Sequence, residues 1–247
     1  PSVARHYKKA SHLGNMARAK AIARLIGLAQ KSKLSASGAF SESESETLVA
    51  NSNGVLAYTQ GKSASLTTIL TGDKGTGFSS HSSKGGKEID VDRVTNTAVF
   101  KATHGEFVDI APGEYEVILE PPAVAELLDF FAWLGPNARI YHEDVSFYQG
   151  KLGKQVFDPA LTIVDDPFHS AGYPIGFDYE GTAKGKLVLV ERGVLKGIAY
   201  DSYHAHKHKT KPTGHALLAP NTWGPIPTHL RLEAGSLKFE DMIKTVR

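Results

Sequence analysis

Residues 46–72 read "ETLVANSNGVLAYTQGKSASLTTILTG", a run dominated by Ser, Thr and β-branched residues. Such residues fit a pleated, half-buried surface. Asn53-Gly54 suits a type I′ turn, whose two central residues need positive φ, so the first part reads as a hairpin. "SASLTTILTG" supplies a further strand. Just upstream, "SESESE" at 41–46 alternates strictly and predicts an exposed strand edge or a loop. From Leu34 to about Thr71 the expectation is therefore an antiparallel meander.

Helical patterns flank it. Ile22, Leu25, Ile26 and Ala29 follow i, i+3, i+4, i+7 spacing and predict a helix from 13 to about 30 that packs on a sheet. Asp90 can cap a second helix with Val91, Val94, Thr95, Ala98 and Val99 on one face. Between meander and helix, "GDKGTGFSSHSSKGGKE" is rich in Gly and Ser. No helix follows Gly75-Thr76-Gly77 closely enough for a dinucleotide fingerprint, so a flexible loop is expected.

A second unit starts at "APGEYEVILEPPAVAELLDFFAWLG", residues 111–135. A turn at Pro112-Gly113 predicts a strand Tyr115–Leu119. Pro122 can sit in the first turn of a helix, where its missing N–H does no harm. Leu127, Leu128, Phe131 and Leu134 give that helix an apolar stripe ending at Gly135, and its aromatics read as core. Beyond it, "LVLVERGVLKGIAYDSY" predicts a hairpin turning at Arg192-Gly193. The fold class is α+β: antiparallel meander sheets, a few packed helices and a β-rich C-terminal half. The expected domains are 1–111 and 112–247.

Composition excludes several functions. The chain has 247 residues, 41% hydrophobic and 22% charged, as in a soluble globular protein able to bury a core. It has no cysteine, which removes disulfides, thiolate metal ligands and cysteine nucleophiles from this segment. No apolar run approaches the roughly 20 residues of a membrane span. "PSVARHYKKASHLGN" has no apolar core of signal-peptide type, and Pro1 in place of Met predicts an internal start. The formal net charge is only +2. Lys184, Lys186, Arg192, Lys196, Lys207, Lys209 and Lys211 are expected as solvated surface, because a phosphate track needs clustered contacts. No nucleic-acid partner and no membrane partner are expected.

The chemistry-bearing residues are few. "YHAHKHK" places His204, His206 and His208 at alternate positions, with His215 shortly after. In a strand the alternating three would share one face about 7 Å apart, and imidazole suits zinc, copper and nickel. The favoured reading is incidental surface histidines, with candidate metal ligands as the competing one. Asp165 and Asp166 in "TIVDDP" read as a strand end and a turn before Pro167. No Gly-x-Ser-x-Gly elbow occurs.

Several strings resemble the TldD/PmbA family, also called modulators of DNA gyrase. They are "GKLGKQVFDPALTIVDDP" (150–167), "FDYEGTAKGKLVLVERGVLKGIAYDSYHA" (177–205), "PTGHA" (212–216), "THLRLEAGSLKFEDMI" (228–243) and, upstream, "SESESETLVANSNG" (41–54). The resemblance implies a cytoplasmic peptidase system of two related subunits acting on peptides or unfolded chains. It also implies that an N-terminal lobe precedes Pro1 and that a closing segment follows Arg247. In TldD-type members a helix carries an HExxxH zinc motif, and that helix corresponds here to the one after "EVILEPP". Here it reads "AVAELLDFFAWLG", without histidine, leaving only Glu126 and Asp129 as donors. The chain is thus similar to the PmbA-type (TldE-type) subunit. The expectation is a non-catalytic or regulatory subunit with no cofactor of its own, partnered by a zinc-bearing TldD-type subunit or by itself as a dimer. The alternatives are an autonomous peptidase of the family and a DNA gyrase-associated module.

Overall fold

The computed structural model describes residues 3–4, 13–105, 109–170 and 172–246. Most of the segment read above as an internal start lies outside the described residues. The class is α+β, as expected. Contacts group the described residues into two units. Those of 6–46 and 60–114 form one; those of 1–5, 47–59 and 115–247 form the other.

In the first unit, α1 (Asn15–Lys31) buries Leu25 and Ala29, while Ile26 remains exposed. β2 (Ser35–Ala50), β3 (Leu56–Gly72) and β4 (Gly75–Ser83) follow; residues 47–59 of β2, β3 and their turn belong to the second unit, where β1 (Val3–Ala4) runs parallel to β3 at Ala57 and Tyr58. The sheet order is β1-β3-β2, with β4 also on β3, so β2 with its Ser/Glu alternation lies at the end of that order. Along β3, Ala64, Leu66, Thr68 and Leu70 point inward, as the two-residue period of a strand dictates. Leu66 and Leu70 share a core with Leu25, Ala29, Val94, Ala98 and Ala102. α2 (Val91–His104) is capped by Asp90, whose side chain accepts from the Arg93 N–H at 2.9 Å.

Two expectations here need correction. The Gly/Ser-rich stretch is not a loop. It is β4, paired antiparallel from Ala64↔Ser83 to Gly72↔Gly75. Its small residues admit α2: a Cβ on Gly77 would lie 1.9 Å from the Ala98 carbonyl oxygen. Nor is the β2–β3 turn type I′, because Gly54 has φ 81° whereas Asn53 stays out of the positive region. The Asn51 side chain reshapes the turn by accepting from the Asn53 and Val55 N–H groups, at 3.0 and 3.2 Å.

In the second unit, α3 (Pro121–Leu134) starts on its proline pair. α4 (Ala138–His142) is capped by Asn137. β5 (Ile163–Asp165), β6 (Leu187–Glu191), β7 (Val194–Leu195) and β8 (Leu230–Leu232) form an antiparallel sheet of order β7-β6-β5-β8. The β6–β7 hairpin turns at Arg192-Gly193 as predicted, with φ 49° and 80°. α5 (Ser202–Lys207) and α6 (Phe239–Thr245) complete the unit. Its core joins Tyr148, Ile163, Leu189, Val190 and Leu195, with Leu128 and Phe131 from α3 packed against them. Tyr115–Leu119 is not a strand: no described strand pairs with it, and Tyr115, Val117 and Leu119 are exposed. The α3 stripe is also only half core, since Leu127, Phe130, Trp133 and Leu134 remain exposed. Among the described residues no helix is long and apolar enough to cross a membrane.

Candidate functional site

The four histidines do not form one constellation. The alternating three are not on a strand but on and just after α5, because Asp201 caps that helix by accepting from the His204 N–H at 2.7 Å. Helical spacing then turns His206 away from the face that His204 and His208 share. The Nδ1 of His204 turns back to Asp201, at 2.8 and 3.0 Å from its two oxygens. His206 is exposed. His208 stacks on His142, with centroids 3.3 Å apart and 4° between planes. Burial holds both of those rings below the ordinary imidazole pKa, helped by neighbouring charge from Lys207. His215 is fully buried, its Nε2 donating to Asp165 Oδ2 at 3.1 Å. Among the described residues no group of three or more His, Asp or Glu is placed to share a metal ion.

The Asp165–His215 pair anchors a buried polar network that the sequence did not announce. Asp165 ends β5, as read, and it also accepts the His229 N–H at 2.6 Å. Lys184, expected at the surface, is only 9% exposed. The segment folds its side chain inward, where Nζ donates to Thr228 Oγ1 at 3.1 Å and to His229 Nδ1 at 3.4 Å. His229 Nε2 donates to the Tyr173 carbonyl at 3.0 Å. Burial pushes the Asp165 carboxyl up, but the His215 hydrogen bond, the Lys184 charge and the His229 N–H outweigh it and hold it below the carboxylate range. Burial lowers Lys184 and His229 and raises Asp178. Asp178 closes its own loop by accepting from Glu180 and Thr182 N–H, and ties that loop to Ala216 at 2.9 Å. Asp166 makes the expected turn, accepting from the Phe168 N–H at 3.1 Å.

A cavity of about 400 Å³ is walled by Arg139, Glu143, Glu180, Asp201, His204 and Tyr203 among others, and it reaches Ala216, whose N–H donates to Asp178. α4 supplies Arg139, which donates to Glu143 at 3.1 Å and to the Thr222 carbonyl at 2.6 Å. Asn137 holds the same segment through Trp223 O at 2.9 Å. Gly224, at φ 81°, permits the approach, because a Cβ there would sit 2.6 Å from Arg139 Cβ. The only cue to this site in the sequence was Asp201 three residues before His204, a helix-start pattern.

α3 was the other candidate. Its donor set is Glu126 and Asp129, both exposed. Two carboxylates without an imidazole do not fit a zinc centre, which takes about three protein ligands.

Residues 11–105 match the sequence model of the PmbA/TldA metallopeptidase central domain, and residues 112–247 that of the C-terminal domain. An uncharacterized protein of Methanocaldococcus jannaschii is 39% identical over 101 residues, 40% of this chain and 24% of that protein. The metalloprotease TldD homolog of Haemophilus influenzae is 31% identical over 108 residues, 42% of this chain and 22% of its own length. Among solved structures, TldE from Thermococcus kodakarensis superposes with a TM-score of 0.81 at 25% identity, over 100% of this chain and 60% of its own. A Thermotoga maritima protein described as a modulator of a DNA gyrase gives 0.85 at 22% identity, over 96% and 58%. The chain therefore spans well under two thirds of these relatives.

Proposed function

Because the chain belongs to the PmbA/TldD metallopeptidase family, we propose that it is a non-catalytic or regulatory subunit of a TldD/TldE-like zinc metalloprotease system that processes or degrades peptides and unfolded proteins. The observation that carries this reading is the make-up of α3. Where the resemblance puts the metal helix, this chain has apolar and aromatic side chains, two exposed carboxylates and no imidazole. The likeness of its fold to TldE supports the same reading. The zinc then resides in a TldD-type partner, and both proteins act in the cytoplasm. In this arrangement the end strand β2 offers backbone groups for pairing with an extended peptide. The division into domains 1–111 and 112–247 is part of the same proposal.

The test is co-expression with a TldD-type subunit. Co-purification, with chelator-sensitive peptidase activity present only in the pair, is the expected result. Peptidase activity from this chain alone that survives chelator overturns the proposal.

A further inference from the structure

We infer that the cavity beside α5 is a receptor for a primary ammonium group. Its hydrogen-bonding capacity is polarised toward accepting. Asp201 lines it and is engaged by the His204 backbone N–H and the ring Nδ1. Asp201 holds a proton on Nδ1, which leaves Nε2 as the ring nitrogen available to a ligand. No described residue bonds to that Nε2. Glu180 uses one oxygen to accept the Ser202 N–H at 2.9 Å, and the other is open to a ligand. Tyr179 and Tyr203, 48% and 65% exposed, add aromatic faces, which attract cations.

The charge balance points the same way. The carboxylates of Glu143, Glu180 and Asp201 face two cations, Arg139 and Lys207. Arg139 is already committed to Glu143 and to the Thr222 carbonyl. Lys207 lies with Nζ 5.9 Å from the Tyr203 ring centroid. Three carboxylates against one arginine and one lysine leave the wall with more acidic than basic groups. A carboxylate ligand would meet acceptors facing it; an ammonium brings three donors to His204 Nε2, Glu180 and a tyrosine. A cavity of about 400 Å³ exceeds the head group and leaves room for its carrier. A peptide N-terminus and a lysine side chain both supply such a group. That the carrier is a peptide rests on the function proposed above; the ammonium specificity does not.

The experiment is titration calorimetry on the full 247-residue chain. The probes are n-butylammonium, unblocked trialanine amide, N-acetyl-lysine amide and N-acetyl-trialanine. We expect n-butylammonium to bind. Glu180→Gln and His204→Gln should each weaken it roughly tenfold or more, the scale of a hydrogen bond to a charged group. Lys207→Gln should tighten it, a sign that separates a cation ligand from an anion. Melting curves check each variant; if His204→Gln does not fold, the exposed Glu180→Gln carries the test. The receptor is overturned if the folded chain ignores n-butylammonium, if N-acetyl-trialanine with its free carboxylate binds at least as well, or if Lys207→Gln weakens binding. Trialanine amide binding assigns the ammonium to a peptide N-terminus, and N-acetyl-lysine amide binding assigns it to a side chain. If n-butylammonium binds and neither of these does, the receptor stands and the peptide carrier is overturned, whatever the outcome of the co-purification.

Discussion

Asp165 and His215 show how much a single pair can hold. Both side chains are fully buried, and Asp165 also secures the start of the strand that carries Leu230 through its bond to the His229 N–H. Removing one partner of a buried pair leaves an uncompensated charge. His215→Ala should therefore cost about 3–5 kcal/mol in urea unfolding, and the replacement of an exposed histidine, His206→Ala, should cost almost nothing. The pH dependence follows from the same network. The Asp165 carboxyl is held below its ordinary value in the folded chain, so the unfolded chain binds its proton more readily. That difference stabilises the fold above about pH 4 and is lost as pH falls through the folded value. His142, His208 and His229 are also lowered, which makes stability fall as pH drops through about 6.5. Asp178 is raised and has the opposite sign: it costs stability above the carboxylate range and is relieved on protonation. Urea midpoints across pH should show His229→Gln reducing the loss that begins near 6.5, and Asp165→Asn flattening the limb below about 4.

At the scale of elements, the long helices α1, α2 and α3 were legible, and the short α4, α5 and α6 were not. The stripes of α1 and α2 and the Asp90 cap depend on neighbours three and four residues away, which any reading of the chain contains. β4 was not legible in this way. Its Gly and Ser content reflects the helix lying over it, a contact remote in sequence. Gly77→Ala would drive a methyl into the Ala98 carbonyl and part α2 from β4. A loss of about 1–3 kcal/mol, the usual cost of overpacking, is expected in thermal or denaturant unfolding. A loop reading of the segment would predict no change, so the measurement separates the two. α5 makes the converse point. Alternating histidines suggested a strand, but Asp201 caps a helix within the same residues, and local capping prevailed over a period of two.

At the scale of the whole molecule, the family assignment was legible in the order and spacing of motifs, and both family matches agree with it. The site was much less so. Lys184 and Thr228, His215 and Asp165, and Arg139 and Thr222 are far apart in the chain and meet only on folding. The dispersal of the histidines has a consequence for metal. Zinc titrated into the chain should bind without defined stoichiometry, and His206→Ala should leave the isotherm unchanged. A stoichiometric site abolished by that substitution would contradict the separation seen here.

What the amino-acid sequence determined by itself was local or cumulative: helix stripes, caps, the Arg192-Gly193 turn, the absence of cysteine and the α3 segment without histidine. These depend on residues within a few positions of one another, or on simple presence. What only the tertiary structure decided was the set of polar partners: which lysine is buried, which carboxylate receives which imidazole, and which ring is left open to a cavity. The physical reason is that a buried polar group must find its partner wherever the packed chain brings one, and sequence separation carries no trace of that choice.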